Sequence, residues 1–210
     1  MTRTFPRLYA IADAELLSRA QIPIENFVRE LYAAGVRWLQ YRDKTAGAGT
    51  VLSRVRGLRE SMPADLALFV NDRADVCVMA GCDGVHIGQD DLSAWGVRRV
   101  IGSHLFGIST HNETQIEAAA QTEADYVAIG PVFATSSKAN PGPVIGTDGV
   151  RAARRRTAKP LVGIGGITHR NARSVMEAGA DAIAVISGLI PSSRGESPGK
   201  LAEDFLALLL

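Results

Sequence analysis

Apolar residues along this chain fall into short continuous runs, and each run breaks off in a polar or glycine-rich cluster. LFV, GVHI, YVAIG, LVGIG and AIAVI show the pattern. A strand with one wet face alternates apolar and polar residues; these runs do not alternate, as in parallel strands buried on both faces. The clusters that end them are residues 11–13 (IAD), 40–44 (QYRDK), 70–72 (VND), 87–91 (IGQDD), 108–111 (ISTH), 130–138 (GPVFATSSK), 163–168 (GIGGIT) and 185–187 (VIS). That succession of eight strand ends matches the strand number of a (β/α)8 TIM barrel.

Between the runs, helical periodicity predicts helices over 24–34, 50–61, 74–80, 93–100, 113–122, 148–157, 171–178 and 200–210. Strand and helix alternate without a break. AAGVRWLQ, MAGCDGVHI and EAGADAIAV place Gly35, Gly81 and Gly179 where a left-handed residue ends a helix. A doubly wound open sheet is the competing α/β architecture, but short units of this number and the lack of an early GxGxxG favour closure. In a barrel the polar clusters gather at the C-terminal ends of the strands, where active sites form. The one long irregular stretch, 135–147 (TSSKANPGPVIGT), reads as a disordered loop or a functional lid, and the basic Lys138 favours the lid.

At 210 residues the chain suits one barrel domain over 1–210. A formal net charge of +1 with interspersed signs gives no field for nucleic acid or an anionic membrane, so phosphate recognition has to be local. No signal-peptide pattern opens the chain and no apolar run reaches a membrane span, which predicts a cytoplasmic, soluble protein. Cys77 and Cys82 have neither metal-ligand nor redox spacing and read as small core residues. The basic run 154–156 reads as a solvated helix face.

Two carboxylates, Asp72 and Asp91, follow neighbouring strands. Hard oxygen ligands without His or Cys suit Mg2+, which completes its shell with phosphates and water; the plainer reading is that both cap the next helices. Arg42 and Lys44 after the second run, with Lys138 after the sixth, add cations suited to a diphosphate, although Arg42 paired with Asp43 on the surface would be the bland alternative. By strand parity Gln40, Arg42 and Lys44 face one way and Tyr41 and Asp43 the other. Gly165 and Gly166 after the seventh run, and Ser187 and Gly188 after the eighth, suit a second phosphate held by backbone N–H groups. His86 shares inward parity with Gly88 and could bond a heterocycle or sit as a core residue, whereas His104 and His169 look peripheral.

Taken together, QYRDK, VNDR, GVHIGQDDL, GISTH, ADYVAIGPVF with TSSK, and VGIGGIT with AVIS resemble, in this order, the thiamine-phosphate synthase family. The resemblance implies a barrel transferase of thiamine biosynthesis that joins hydroxymethylpyrimidine diphosphate to hydroxyethylthiazole phosphate, releasing diphosphate. It further implies that Gln40, Arg42, Lys44, Asn71, Ser109 and Lys138 bind the pyrimidine diphosphate, with Arg42, Lys44, Lys138 and Ser109 catalytic, and that His86 lies near the pyrimidine. Thr135, Ser137, Gly166, Ile186 and Ser187 would contact the thiazole phosphate, and Asp72 and Asp91 would hold Mg2+. The motifs also carry Tyr41, Asp43 and Ser136 into the substrate-binding set. The expected partners are these small molecules and, as an option, further copies of the chain, without nucleic acid or membrane. A thiazole tautomerase of the same fold would not need the aspartates and Lys44, a sensor protein would have lost the diphosphate site, and a sugar-phosphate isomerase barrel would leave Lys138 unassigned.

Overall fold

The computed structural model describes residues 5–135, 137, 142–193 and 195–209. Eight parallel strands close into a barrel in sequence order: β1 (Leu8–Asp13), β2 (Trp38–Arg42), β3 (Ala67–Asn71), β4 (Gly84–Ile87), β5 (Leu105–Thr110), β6 (Tyr126–Ile129), β7 (Leu161–Ile164) and β8 (Ala182–Val185), with β1 pairing both β2 and β8. The helices are α1 (Ala14–Arg19), α2 (Ile24–Ala33), α3 (Ala48–Ser61), α4 (Ala74–Ala80), α5 (Ala94–Ile101), α6 (Glu113–Ala120), α7 (Gly146–Arg156), α8 (Ala172–Glu177) and α9 (Pro198–Leu208), and a 3-10 turn follows β8 at Ser187–Leu189. No helix among the described residues is long and apolar enough to cross a membrane.

Strand parity divides the buried residues into two cores. Leu8, Ala10 and Ala12 of β1, Leu39 and Tyr41 of β2, and Leu68 and Val70 of β3 pack outward against the helices. Their alternates Tyr9, Ile11, Trp38, Ala67 and Phe69 fill the barrel with Tyr126, Ala128, Val162, Ala182 and Ala184. Both faces are therefore apolar, which is why the sequence shows continuous runs. The inner core is lopsided: bulky aromatics come from β1 to β3 and from Tyr126 at the start of β6, while Ala128, Val162, Ala182 and Ala184 are smaller. Two inward glycines make room for the rings. A Cβ at Gly107 would sit 2.1 Å from the Tyr126 ring, and one at Gly84 would sit 2.4 Å from Phe69.

Several expected boundaries move. The six residues of α1 were not expected; they are too few for an apolar period, and their signal is Asp13, whose Oδ1 accepts the Leu16 N–H at 3.0 Å as an N-cap. The helix α7 starts at Gly146, so the end of the expected 135–147 loop is helical, while Ser136 and residues 138–141, with Lys138, lie outside the described residues. The basic run is more than a solvated face. Arg154 bonds Asp181 and the Thr157 and Lys159 carbonyls, and Arg156 pairs with Glu113 and Glu117 of α6, tying α7 to its neighbours. Cys77 and Cys82 are buried and free, and Cys82 is held far above the usual thiol range by its bond with Cys77 and by burial.

Candidate active site

The strand ends named from sequence converge on one mouth. At its floor runs a buried chain of polar groups across the barrel. The Gln40 amide donates to the Tyr9 hydroxyl at 3.0 Å, Tyr126 donates to Tyr9 at 3.1 Å, His86 Nδ1 lies 2.9 Å from the Tyr126 hydroxyl, and His86 Nε2 lies 2.8 Å from Ser109 Oγ. Burial first of all pushes both tyrosine hydroxyls well above their usual range, so they stay protonated as hydrogen-bonding groups. Sequence reasoning had named Gln40, His86 and Ser109 but missed Tyr9 and Tyr126; the inward parity they share with Ile11 and Ala128 was the available signal.

Above this floor lies a cavity of about 380 Å³ lined by Gln40, Arg42, Asn71, His86, Ser109 and Ile186, among others. Ser109 and Ile186 also border a second cavity, of about 550 Å³, that reaches Thr135, Ser137, Gly165, Gly166 and Ser187. The two compartments thus share a wall, and a group bound in one can meet a group bound in the other.

Cations and anions are paired around the inner compartment. The Arg42 guanidinium bonds Asp13 on the neighbouring strand, in register with it. The Lys44 ammonium bonds Asp72. Asp72 has a left-handed backbone (φ 63°), a conformation Asp tolerates better than most residues, and its N–H donates to the His86 carbonyl at 2.8 Å. Burial, and then the adjoining Asp91 carboxylate, raise its carboxyl above the ordinary range in spite of Lys44. Asp91 Oδ2 accepts the Gly88 N–H at 2.7 Å, whereas Asp90 is exposed, so the pair facing each other is Asp72 and Asp91. Two carboxylates held together against their mutual repulsion are a donor set that a divalent cation fits.

Tyr41 and Asp43 do not join the mouth, contrary to the expectation that put them with the substrate contacts. Tyr41 packs in the outer core and donates to Asp43 at 3.0 Å. Asp43 also binds Arg54 at 2.8 Å and the N–H groups of Thr45 and Ala46. Burial pushes the Asp43 carboxyl up, but the backbone donors and Tyr41 outweigh it and hold it below the usual range. The pair straps the loop after β2, and Asp43 is not the partner of Arg42.

The outer compartment is built from backbone. Gly166 is left-handed (φ 63°), and a Cβ there would lie 2.4 Å from the Ala134 carbonyl, so only glycine lets the loops after β6 and β7 meet. Asn171 fixes this loop from both sides: its Nδ2 donates to the Gly166 carbonyl at 3.0 Å and its Oδ1 accepts the Thr168 N–H at 2.7 Å. Sequence reasoning placed Asn171 inside a helix and missed that role. Facing it, Ser187 opens the 3-10 turn after β8. His111 Nδ1 lies 2.6 Å from the Gly130 carbonyl, at the start of the β6 loop. His104 and His169 sit on backbone carbonyls away from the mouth.

Comparison with known proteins places the chain in a family. The family model described as thiamine monophosphate synthase matches residues 8–189. A thiamine-phosphate synthase of Koribacter versatilis is 49% identical over 207 residues, covering 97% of this chain and 96% of its own. One from Chloroflexus aurantiacus is 41% identical over 185 residues, covering 88% and 85%. Among solved structures, a thiamine phosphate pyrophosphorylase from Pyrococcus furiosus superposes with a TM-score of 0.83 at 30% identity, covering 97% of this chain and 95% of that one. With a match this long in sequence and in fold, the chain belongs to the thiamine monophosphate synthase family, transferases that form thiamine phosphate in thiamine biosynthesis.

Proposed function

We propose that the inner compartment takes hydroxymethylpyrimidine diphosphate, the outer one hydroxyethylthiazole phosphate, and that Asp72 and Asp91 hold Mg2+. The observation that carries this reading is the shared wall at Ser109 and Ile186 between a cavity lined by Arg42 and one lined by Gly130, Gly165 and Gly166. Gln40, Asn71 and His86 orient the pyrimidine, and Arg42, Lys44 and Lys138 grip its diphosphate. Gly166 and Ser187 offer backbone N–H groups to the thiazole phosphate, with Thr135 and Ser137 lining that side and Ile186 packing between the two rings. Bound Mg2+ would neutralise charge on the diphosphate. As the bond to the pyrimidine methylene lengthens, Arg42, Lys44 and Lys138 stabilise negative charge growing on the departing oxygen. The electron-rich aminopyrimidine stabilises the cation left behind, Ser109 bonds the departing group, and the thiazole nitrogen attacks across the wall. Apolar Ile164, Ala184 and Ile186 around the junction keep water from competing.

Diphosphate release is the test, with the pyrimidine diphosphate, the thiazole phosphate and Mg2+ each omitted in turn. Release that needs all three, with thiamine phosphate as product, is expected. Tight thiazole-phosphate binding without release would favour a tautomerase on the same barrel instead.

A further inference from the structure

Asp13 has no part in the chemistry above, yet it is an acidic side chain only 5% exposed at the rim of the mouth. Capping α1 occupies one carboxylate oxygen, Oδ1, on the Leu16 N–H. The other, Oδ2, accepts from the Arg42 guanidinium, itself only 14% exposed. Asp13 and Arg42 are register partners on adjacent strands and share inward parity with Ile11 and Gln40, so the pair spans one rung of the barrel. Among the described residues Asp13 is the side chain that this guanidinium bonds, and Arg42 also lines the inner cavity.

We propose that Asp13 is a positioning residue for the diphosphate: it pins one nitrogen of Arg42 so that the rest of the planar fork faces the inner compartment. The inference rests on placing the diphosphate there. An arginine is long enough to reach several acceptors, and the other carboxylates at this mouth are Asp72 and Asp91. Without Asp13 the guanidinium would swing towards them, lose its aim at the phosphate oxygens and compete for the carboxylates that suit a cation. Asp13 thus keeps one cation–anion pair for aiming and leaves the other pair for the metal. A fork held in place gives two parallel N–H···O bonds, whereas a wandering one gives a point charge.

The test is Asp13→Asn, which retains a side-chain oxygen to cap α1 but removes the anion. The KM for the pyrimidine diphosphate is expected to rise about 10-fold or more, the scale on which misplaced binding groups act. The KM for the thiazole phosphate should stay within about twofold, because that phosphate does not meet Arg42. In an Arg42→Gln background the same substitution should change nothing further. A parent-like KM in Asp13→Asn, equal rises for both substrates, or full additivity with Arg42→Gln would each overturn the role. Should Asp13→Asn fold poorly, Asp13→Ser, another good cap, carries the same expectations. If Arg42→Gln itself leaves the pyrimidine diphosphate KM unchanged, the diphosphate placement falls, and this inference with it.

Discussion

Asp72 shows at the level of one residue how this site trades stability for chemistry. Burial and the nearby Asp91 raise its carboxyl, so the folded state holds that proton more tightly than the unfolded chain does. The sign follows: in metal-free protein Asp72 costs stability once it ionises, and the cost fades as pH falls through its raised range. Asp72→Asn should therefore melt higher than the parent without metal and lose that part of the pH dependence, while turnover drops by roughly 10²- to 10³-fold, as on removing a charge stabiliser. Thermal melts across pH alongside steady-state rates check both halves; a variant that melts lower and keeps its rate would contradict the account. Asp72, Asp91 and Arg42 stood out in the sequence as charges at or just beyond the ends of apolar runs, although helix capping and surface pairing were the plainer readings of them. Their partners did not. The pairing of Arg42 with Asp13, not Asp43, depends on which strands are neighbours, and nothing in QYRDK contains that.

Among the elements, the strands were legible nearly to the residue, and the helices less so. Burial on both faces writes itself into a strand as an unbroken apolar run, whereas α1 is too short to show a period, and α7 begins on a glycine that sequence rules assign to a loop. The loop after β7 was recognised by its glycines, but the residue that sets it, Asn171, looked like an ordinary helix residue. Asn171→Ala leaves the Gly166 carbonyl and the Thr168 N–H without their partners. The KM for the thiazole phosphate should rise about 10-fold, with that for the pyrimidine diphosphate little changed and stability lower by about 1 kcal/mol. The β5 strand carries a different kind of demand. Gly107→Ala forces a methyl into the Tyr126 ring, so it should cost about 1–3 kcal/mol in urea unfolding and loosen the His86–Tyr126 contact. Substitution at Gly81, where nothing lies within 4 Å, would meet backbone strain alone.

Over the whole molecule, the lopsided filling of the barrel creates the cavity. Tyr9, Trp38, Phe69 and Tyr126 fill the base, and the smaller residues Ala128, Val162 and Ala184 leave space above it. The two continuous apolar cores include neither Asp72 nor Asp91, the residues proposed to hold Mg2+. Removing Mg2+ with a chelator should therefore abolish product formation and leave the far-UV spectrum of the protein unchanged. Restoring millimolar Mg2+ should raise the melting temperature of the parent by mass action but not that of Asp72→Asn.

Because β8 seals against β1, the finished sheet offers no edge to a neighbour. The same closure sets a hazard during synthesis. Until the eighth strand has left the ribosome, a nascent chain holds β1 and β7 as open edges, each able to template pairing with another copy, and the turn at Ser187 does not yet exist. Neither the finished surface nor the ligand can protect such a chain. The exposure lasts until β8 pairs with β1, so the docking of the last strand is the step that ends it.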